Sequence, residues 1–338
     1  MPKSGDLDYE ELTALLEERG KEIIEKFGEA ATLGVSNSDL LSILADVKAY
    51  WKDTYRPALA SLACEAVGGQ PKMSAGVSLM VTLAAAGIGI HDDIIDNSSN
   101  KHFRMTILGL YNRDYALLAG DLLIVKGLTT VQELLSRNRQ LDKLKDVIET
   151  YQHFLIEVCE AEFNEISCRK NLDTELENYL GILWKSTADT EACTRLGAII
   201  GGGSQSEIQA LGEIGRRLGF MSRLADDLKD SLNIEGSLPH RLEYESIPLP
   251  ILFAAKSSKN KFSEIRLVLE KSSIDPSDVR KLLECCFDTE AFSYVHTIAK
   301  DNVIEAKKQL RLLKRCRART VLKLMIQKSL VEVMSLPG

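Results

Sequence analysis

The residues Asp92-Asp93-Ile94-Ile95-Asp96 and Asp226-Asp227-Leu228-Lys229-Asp230 repeat one pattern, D-D-x-x-D, at two distant places in the chain. Apolar sequence precedes both: Leu83–His91 before the first, Leu218–Ala225 before the second. On a helix, residues i and i+4 share a face, which sets Asp92 beside Asp96 and Asp226 beside Asp230. Like charges placed this way repel, and apolar surroundings make the repulsion worse unless a cation offsets it. Carboxylate oxygens are hard ligands suited to Mg²⁺, which keeps several waters and is commonly shared with substrate phosphates. One such cluster is equally well a solvated acidic turn. Two copies, each after an apolar stretch rather than on an alternating polar face, point to a pair of metal sites that clamp a diphosphate.

The elements that must position these carboxylates are helical almost throughout. Apolar residues recur at helical period, with no convincing strand alternation. The pattern predicts helices over about 7–32, 39–53, 57–67, 73–98, 112–136, 139–170, 174–202, 205–233, 248–257, 262–273, 276–287 and 290–335, the last with room for a break. Ser36-Asn37-Ser38 offers a cap for the second helix and Gly68-Gly69-Gln70-Pro71 a stop for the third. Gly201-Gly202-Gly203 closes the helix carrying Lys185, and Asp275-Pro276 sets a proline in a first turn. No repeat or linker divides the chain, so residues 1–338 read as a single all-α domain. Its long central helices can form a bundle around a deep core, into which facing helices project carboxylates.

Composition narrows the class. The chain has 338 residues with 45% hydrophobic content, enough for a full core. No run of about 18 uninterrupted apolar residues suggests a membrane span. The acidic N-terminus resembles neither a signal peptide nor a transit peptide. Seven cysteines without C-x-x-C spacing read as reduced, mostly core residues of a cytoplasmic protein, not as a zinc site. A net charge of −7 makes nucleic acid an unexpected partner. From Lys307 to Lys328 every charged residue is basic. This run, within a basic C-terminal helical segment at about 290–335, reads as a solvated helix face. It also allows a basic lid near a phosphate site or weak peripheral attraction to an anionic membrane.

Taken in order, the motifs resemble those of the trans-isoprenyl diphosphate synthases, or polyprenyl synthetases, from about Arg56 to Pro250. Arg56-Pro57-Ala58-Leu59 is similar to the end of a G-K-x-x-R-P-x-L block. His91–Asp96 is similar to the first aspartate-rich motif, and Ala119-Gly120-Asp121-Leu122-Leu123 to the A-G-D-x-L block after it. Glu160–Glu165 resembles an E-G-Q-x-x-D segment with Glu162 at the Gln position. Lys185-Ser186 stands at a Lys-Thr pair, with Arg195-Leu196-Gly197-Ala198 following. Ala225–Asp230 resembles the second aspartate-rich motif. The resemblance implies a class I isoprenoid synthase-type helical bundle around a deep central cavity, and a homodimer. It implies Mg²⁺ held by Asp92, Asp96 and Asp226, with Asp93, Asp227 and Asp230 in support, and Lys185 neutralising pyrophosphate as an allylic diphosphate ionises. A water-free core would protect the allylic cation until isopentenyl diphosphate attacks it.

The acceptor side departs from the family pattern. Asp53 and Thr54 replace Lys and Arg before the Arg-Pro pair, Ala85 stands where a histidine is expected, and Lys101-His102 replaces an Arg pair. Ser246 replaces a lysine, and Arg223 a glutamine. Losing several cations weakens the hold on a second diphosphate, because charge-assisted bonds are the strong ones. Lys52, Arg56, Lys101, Arg104 and Arg223, with Lys185 and Ser186, are the candidate substrate-binding residues. Lys48, Lys52 and Arg56 share one face if their stretch is helical. Three functions follow. The first is chain elongation with isopentenyl diphosphate through a rearranged acceptor site, with prenyl transfer to a different acceptor as its variant. The second is a class I terpene synthase that ionises the allylic diphosphate and cyclises or deprotonates it. The third is a non-catalytic subunit of a heteromeric synthase, ranked last because such a subunit needs no intact aspartate clusters. Upstream of Asp92, Val81, Ala84, Gly87 and Ile88 read either as a tunnel wall that admits a C20 or longer product or as small residues for close helix packing. His91 either orients Asp92 or is a satisfied core histidine.

Overall fold

The structure, a computed structural model, describes residues 8–101, 104–137 and 143–337. Helices dominate these residues: α1 (Tyr9–Thr32), α2 (Ser38–Tyr50), α3 (Tyr55–Ala66), α4 (Ala75–Ile95), α5 (Ile107–Leu110), α6 (Arg113–Arg137), α7 (Leu144–Ser167), α8 (Leu176–Lys185), α9 (Ala188–Gly201) and α10 (Gln205–Ser231). They continue as α11 (Leu238–Tyr244), α12 (Leu249–Ser257), α13 (Lys259–Leu269), α14 (Pro276–Asp288), α15 (Ala291–Leu310) and α16 (Arg317–Ser335). A small antiparallel hairpin, β1 (Asn100–Lys101) with β2 (Arg104–Met105), follows α4. The all-α class stands.

Two compact units emerge, each built from separate stretches of chain. One comprises Met1–Phe154, Asp189–Gly215 and Lys308–Met325; the other Leu155–Ala188, Arg216–Lys307 and Ile326–Gly338. Every boundary falls inside a helix rather than in a linker. In the first unit, Leu79, Leu83, Ala86, Ile90 and Ile94 recur along one side of α4 and join a core with Phe27, Leu44, Val47 and Leu123 from α1, α2 and α6. Burial of such side chains contributes about 1.5–3 kcal/mol each. With its short lead-in, α4 is long and apolar enough to cross a membrane, but 72% of that stretch is buried inside the protein. Its composition is that of a core helix.

Several end signals hold. Asn37 caps α2 through Leu40 N–H at 2.9 Å, Asp275 caps α14 in a capping box with Pro276 at the first position, and Gly68 and Gly202 take positive φ after α3 and α9. Two expectations fail for local reasons, and a third, the break within 290–335, holds. The helix predicted over 174–202 breaks after Lys185. The Ser186 and Thr187 hydroxyls donate to the Leu183 and Trp184 carbonyls, offering the backbone an alternative to the next turn, and Arg216 takes the Trp184 carbonyl as well. Residues 51–54 are not helical, so Lys48, Lys52 and Arg56 do not lie along one helix. Asp53 makes the break by accepting from Tyr55 N–H at 2.9 Å. The stretch at 290–335 divides into α15 and α16, separating the basic run at a turn.

Candidate active site

Each aspartate motif forms the C-terminal end of its helix, and both helices stop in the same way. After α4, Asn97 takes φ 53°, Ser98 N–H reaches the Asp93 carbonyl at 2.8 Å and Asn97 N–H the Ile94 carbonyl. After α10, Asn233 takes φ 53°, Ile234 N–H reaches the Lys229 carbonyl at 3.1 Å and Asn233 N–H the Asp230 carbonyl. These are Schellman closures with asparagine at the left-handed position. They place three carboxylates at a helix terminus that already carries about −0.5 elementary charge. Carboxylates are disfavoured there, so both motifs are built to attract cations.

In the first motif, Asp96 caps α4 and is buried, whereas the Asp92 side chain is 42% exposed. Lys101, reaching in from β1, sits 2.7 Å from Asp92 Oδ2 and 2.9 Å from Asp93 Oδ1. Burial acts to lower the Lys101 pKa, but Asp92 and Asp93 more than offset it and raise it. Burial likewise pushes Asp93 above the ordinary carboxylate range, opposed by Lys101. Its hairpin partner Arg104 lies 4.0 Å over the Tyr50 ring, a cation–π contact. His91 turns toward α6: its Nε2 is 3.2 Å from the Leu117 carbonyl and 3.3 Å from Asp121. His102 lies outside the described residues.

In the second motif the three aspartates part company. Asp227, its side chain only 2% exposed, accepts from Arg241 Nη2 at 2.6 Å, Tyr179 Oη at 3.0 Å and Leu249 N–H at 3.0 Å. Asp230 is paired with the other arm of Arg241 and accepts from Ser237. Asp227 and Asp230, expected as supporting metal ligands, are both engaged by protein donors and anchor this end of α10. Asp226 remains, its side chain 50% exposed, with Lys229 at 3.8 Å. Burial raises its pKa, while Arg223, one turn back, and Lys229 oppose the rise. Ser246, at the place of a family lysine, donates to Glu165 at 2.6 Å.

The expected cations lie as follows. Lys185 ends α8 and pairs with Glu160 at 2.6 Å, both half-exposed. Ser186 is the cap residue of α8 with its hydroxyl turned to the backbone. Arg56 is committed: its Nε lies 2.6 Å from Asp189 and its Nη1 2.6 Å from Asp53. The pair with Asp189 ties α3 to α9. Lys52 is exposed in the loop after α2, and Arg223 is exposed on α10. Of the four residues read as tunnel wall or packing positions, Gly87 and Ala84 lie where α4 packs closely on α6. A Cβ on Gly87 would stand 2.5 Å from the Gly120 carbonyl, and one on Gly127 would meet Met80 and Ala84. These small residues let α4 and α6 approach closely. Val81 is buried, and Ile88 alone of the four is partly exposed, next to Gly89, whose Cβ would have only Trp51 near, at 3.9 Å.

The donor set suits a divalent cation in part. Asp92 and Asp226 offer hard oxygens at two negative helix ends; Lys101 bridges Asp92 and Asp93, and Arg241 holds Asp227. Among the described residues no group of three or more His, Cys, Asp or Glu side chains gathers into a cage. Mg²⁺ is commonly held by one or two carboxylates and completes its shell from phosphates and water. The partners of Asp227 and Arg56 were invisible in the sequence, because Arg241 and Asp189 stand at no motif spacing.

Comparison with known proteins places the chain in a family. The sequence model of the polyprenyl synthetase family matches residues 52–286. The chain is 32% identical over 272 residues, 79% of its own length and 82% of the relative's, to a short chain isoprenyl diphosphate synthase of Methanothermobacter thermautotrophicus. Its fold is similar to a geranylgeranyl pyrophosphate synthetase from Pyrococcus horikoshii, with a TM-score of 0.81 and 24% identity, covering 95% of this chain and 98% of that one. It is also similar to a decaprenyl diphosphate synthase from Rhodobacter capsulatus, with a TM-score of 0.84 and 20% identity, covering 98% and 100%.

Proposed function

The chain belongs to the polyprenyl synthetase family of prenyltransferases, and from that premise we propose that it condenses an allylic prenyl diphosphate with isopentenyl diphosphate into a longer trans-prenyl diphosphate, of C20 or more, with Mg²⁺ as cofactor. The observation that carries this reading is the most exposed carboxylate of each motif, Asp92 and Asp226, at the negative end of its helix. Mg²⁺ held at Asp92 and Asp96 of the first motif, and at Asp226 of the second, would supply positive charge against the diphosphate of the donor. Lys185 adds a mobile positive charge for the departing pyrophosphate, released from Glu160 as the anion arrives. Arg241 keeps Asp227 and Asp230 fixed, so that Asp226 presents its oxygens without a change in the helix end. The apolar core beneath α4 keeps water from the allylic cation once the C–O bond breaks. The test is pyrophosphate release from geranyl or farnesyl diphosphate with and without isopentenyl diphosphate. Release that requires both substrates supports elongation, and none in either case removes it.

One observation favours a second reading. Arg56, the cation at the expected acceptor end, is held between Asp53 and Asp189. A protein that cyclises or deprotonates its donor, or transfers it to an uncharged acceptor, has no need of that cation. Pyrophosphate release from the allylic donor alone selects this reading.

Two features bear on assembly and place. Leu117, Leu118, Val125 and Leu128 are exposed along α6. A homodimer through this stripe covers them, and sedimentation of the wild type against Leu118→Asp tests it. The cysteines are free thiols, four of them buried, which fits a reducing cytoplasm.

A further inference from the structure

The two aspartate motifs carry internal cations of different character. At the second, the planar guanidinium of Arg241 is 9% exposed and is fixed by Asp227, Asp230, Tyr179 and the Ser246 carbonyl. Such a fork, engaged on every side, is a permanent part of the core. At the first, a single ammonium on a flexible stem bridges two neighbouring carboxylates. Lys101 Nζ lies 2.7 Å from Asp92 and 2.9 Å from Asp93, its side chain is one-third exposed, and it comes from a two-residue strand rather than a helix. The charge there is not balanced. The three carboxylates of the motif and the end of α4 sum to about −3.5, against +2 from Lys101 and the nearby Arg104. The remainder attracts a second cation, but the ammonium stands where Asp92 would bind it.

We propose that Lys101 is an exchangeable counter-ion of the first aspartate motif: it holds Asp92 and Asp93 while no metal is bound, and a divalent cation loads at Asp92 by displacing it. The inference rests on Asp92 being a metal ligand. It makes the two motifs unequal, since the ammonium beside Asp226, that of Lys229, stands farther off at 3.8 Å and is held more closely by Glu332 at 2.8 Å. The hairpin bearing Lys101 and Arg104 therefore senses metal loading at α4.

Two measurements test this. Mg²⁺ is titrated calorimetrically into metal-free protein in an Asp226→Asn background, comparing Lys101, Lys101→Met and Lys101→Arg. Lys101→Met is expected to bind Mg²⁺ about tenfold more tightly, the size of an ordinary coupling between competing sites, and Lys101→Arg to stay near the parent. In the unaltered protein, acylation of Lys101 by an amine-reactive ester is followed by peptide mass spectrometry with chelator or with Mg²⁺. Labelling is expected to rise severalfold in Mg²⁺, because the amine leaves its carboxylates. Equal affinity of Lys101→Met and parent, or labelling that is unchanged or falls, overturns the exchange while leaving Asp92 as a ligand. No Mg²⁺ binding by any of the three proteins overturns the metal reading of Asp92 and the exchange with it. Should Lys101→Met fail to fold, the labelling of the unaltered protein decides alone.

Discussion

Replacing Arg241 with methionine should be the costliest single change near the second motif. The guanidinium satisfies Asp227, whose side chain is 2% exposed, and pairs with Asp230, while its own side chain is 9% exposed. Removing it strands a buried carboxylate that keeps only Tyr179 and Leu249 N–H as donors. Breaking a buried pair from one side costs about 3–5 kcal/mol. Asp227→Asn leaves Arg241 its contact with Asp230 and Asn able to accept from Leu249, so its cost should be nearer 1–3 kcal/mol, that of a perturbed hydrogen bond. The double variant removes both charges, so the two costs should not add; a coupling of about 1–3 kcal/mol is expected for groups in direct contact. Urea unfolding of the four proteins measures the cycle. A loss under about 1 kcal/mol for Arg241→Met, the range of exposed pairs, or an additive cycle, would refute the view that this arginine is the fixed anchor of the motif.

Three further outcomes follow. Gly87→Ala should destabilise by about 1–2 kcal/mol, since overpacking against the Gly120 carbonyl exceeds the helix-propensity gain. Gly181→Ala, with nothing within 4 Å of the added carbon, should stabilise by about 0.5–1 kcal/mol; thermal unfolding of both would expose an α4–α6 contact looser than described. Asp226→Asn should lower kcat/KM by about 10²-fold or more with little change in unfolding midpoint, as expected when a charge needed in the transition state is lost from an exposed position. An unchanged kcat/KM would remove Asp226 from the site. Burial lowers the pKa of His296 below 6.5, with Lys300 adding to the fall and the backbone at Val333 and Leu336 opposing it. A depressed histidine contributes stability above its unfolded value that is lost as pH falls toward its folded one, so the melting temperature should drop below about pH 6.5. His296→Gln should flatten that drop, and an unaltered profile would assign it to other groups.

The helical class, the caps at Asn37 and Asp275 and the aspartate motifs were legible because each depends on neighbours within four residues. What was not legible depends on partners remote in sequence. Asp226, Asp227 and Asp230 look equivalent in the chain, and only the arrival of Arg241, Tyr179 and Leu249 separates an open carboxylate from two anchors. Arg56 reads as a substrate-binding cation until Asp189 is seen against it. Gly87 and Ala84 share a face with the expected tunnel line, but which face meets α6 is decided by glycines at 120 and 127. The break after Lys185 was readable in principle, since consecutive Ser and Thr can bond back to the preceding turn, but helical periodicity continues through it.

The central claim is that an allylic donor is ionised and extended by isopentenyl diphosphate. Mass spectrometry of the products from Mg²⁺ with geranyl, farnesyl or geranylgeranyl diphosphate, each with and without isopentenyl diphosphate, tests it most directly. The account predicts longer prenyl diphosphates only when both substrates are present, reaching C20 or beyond. Hydrocarbons or alcohols formed from the allylic diphosphate alone, with no longer diphosphate when isopentenyl diphosphate is added, would contradict it.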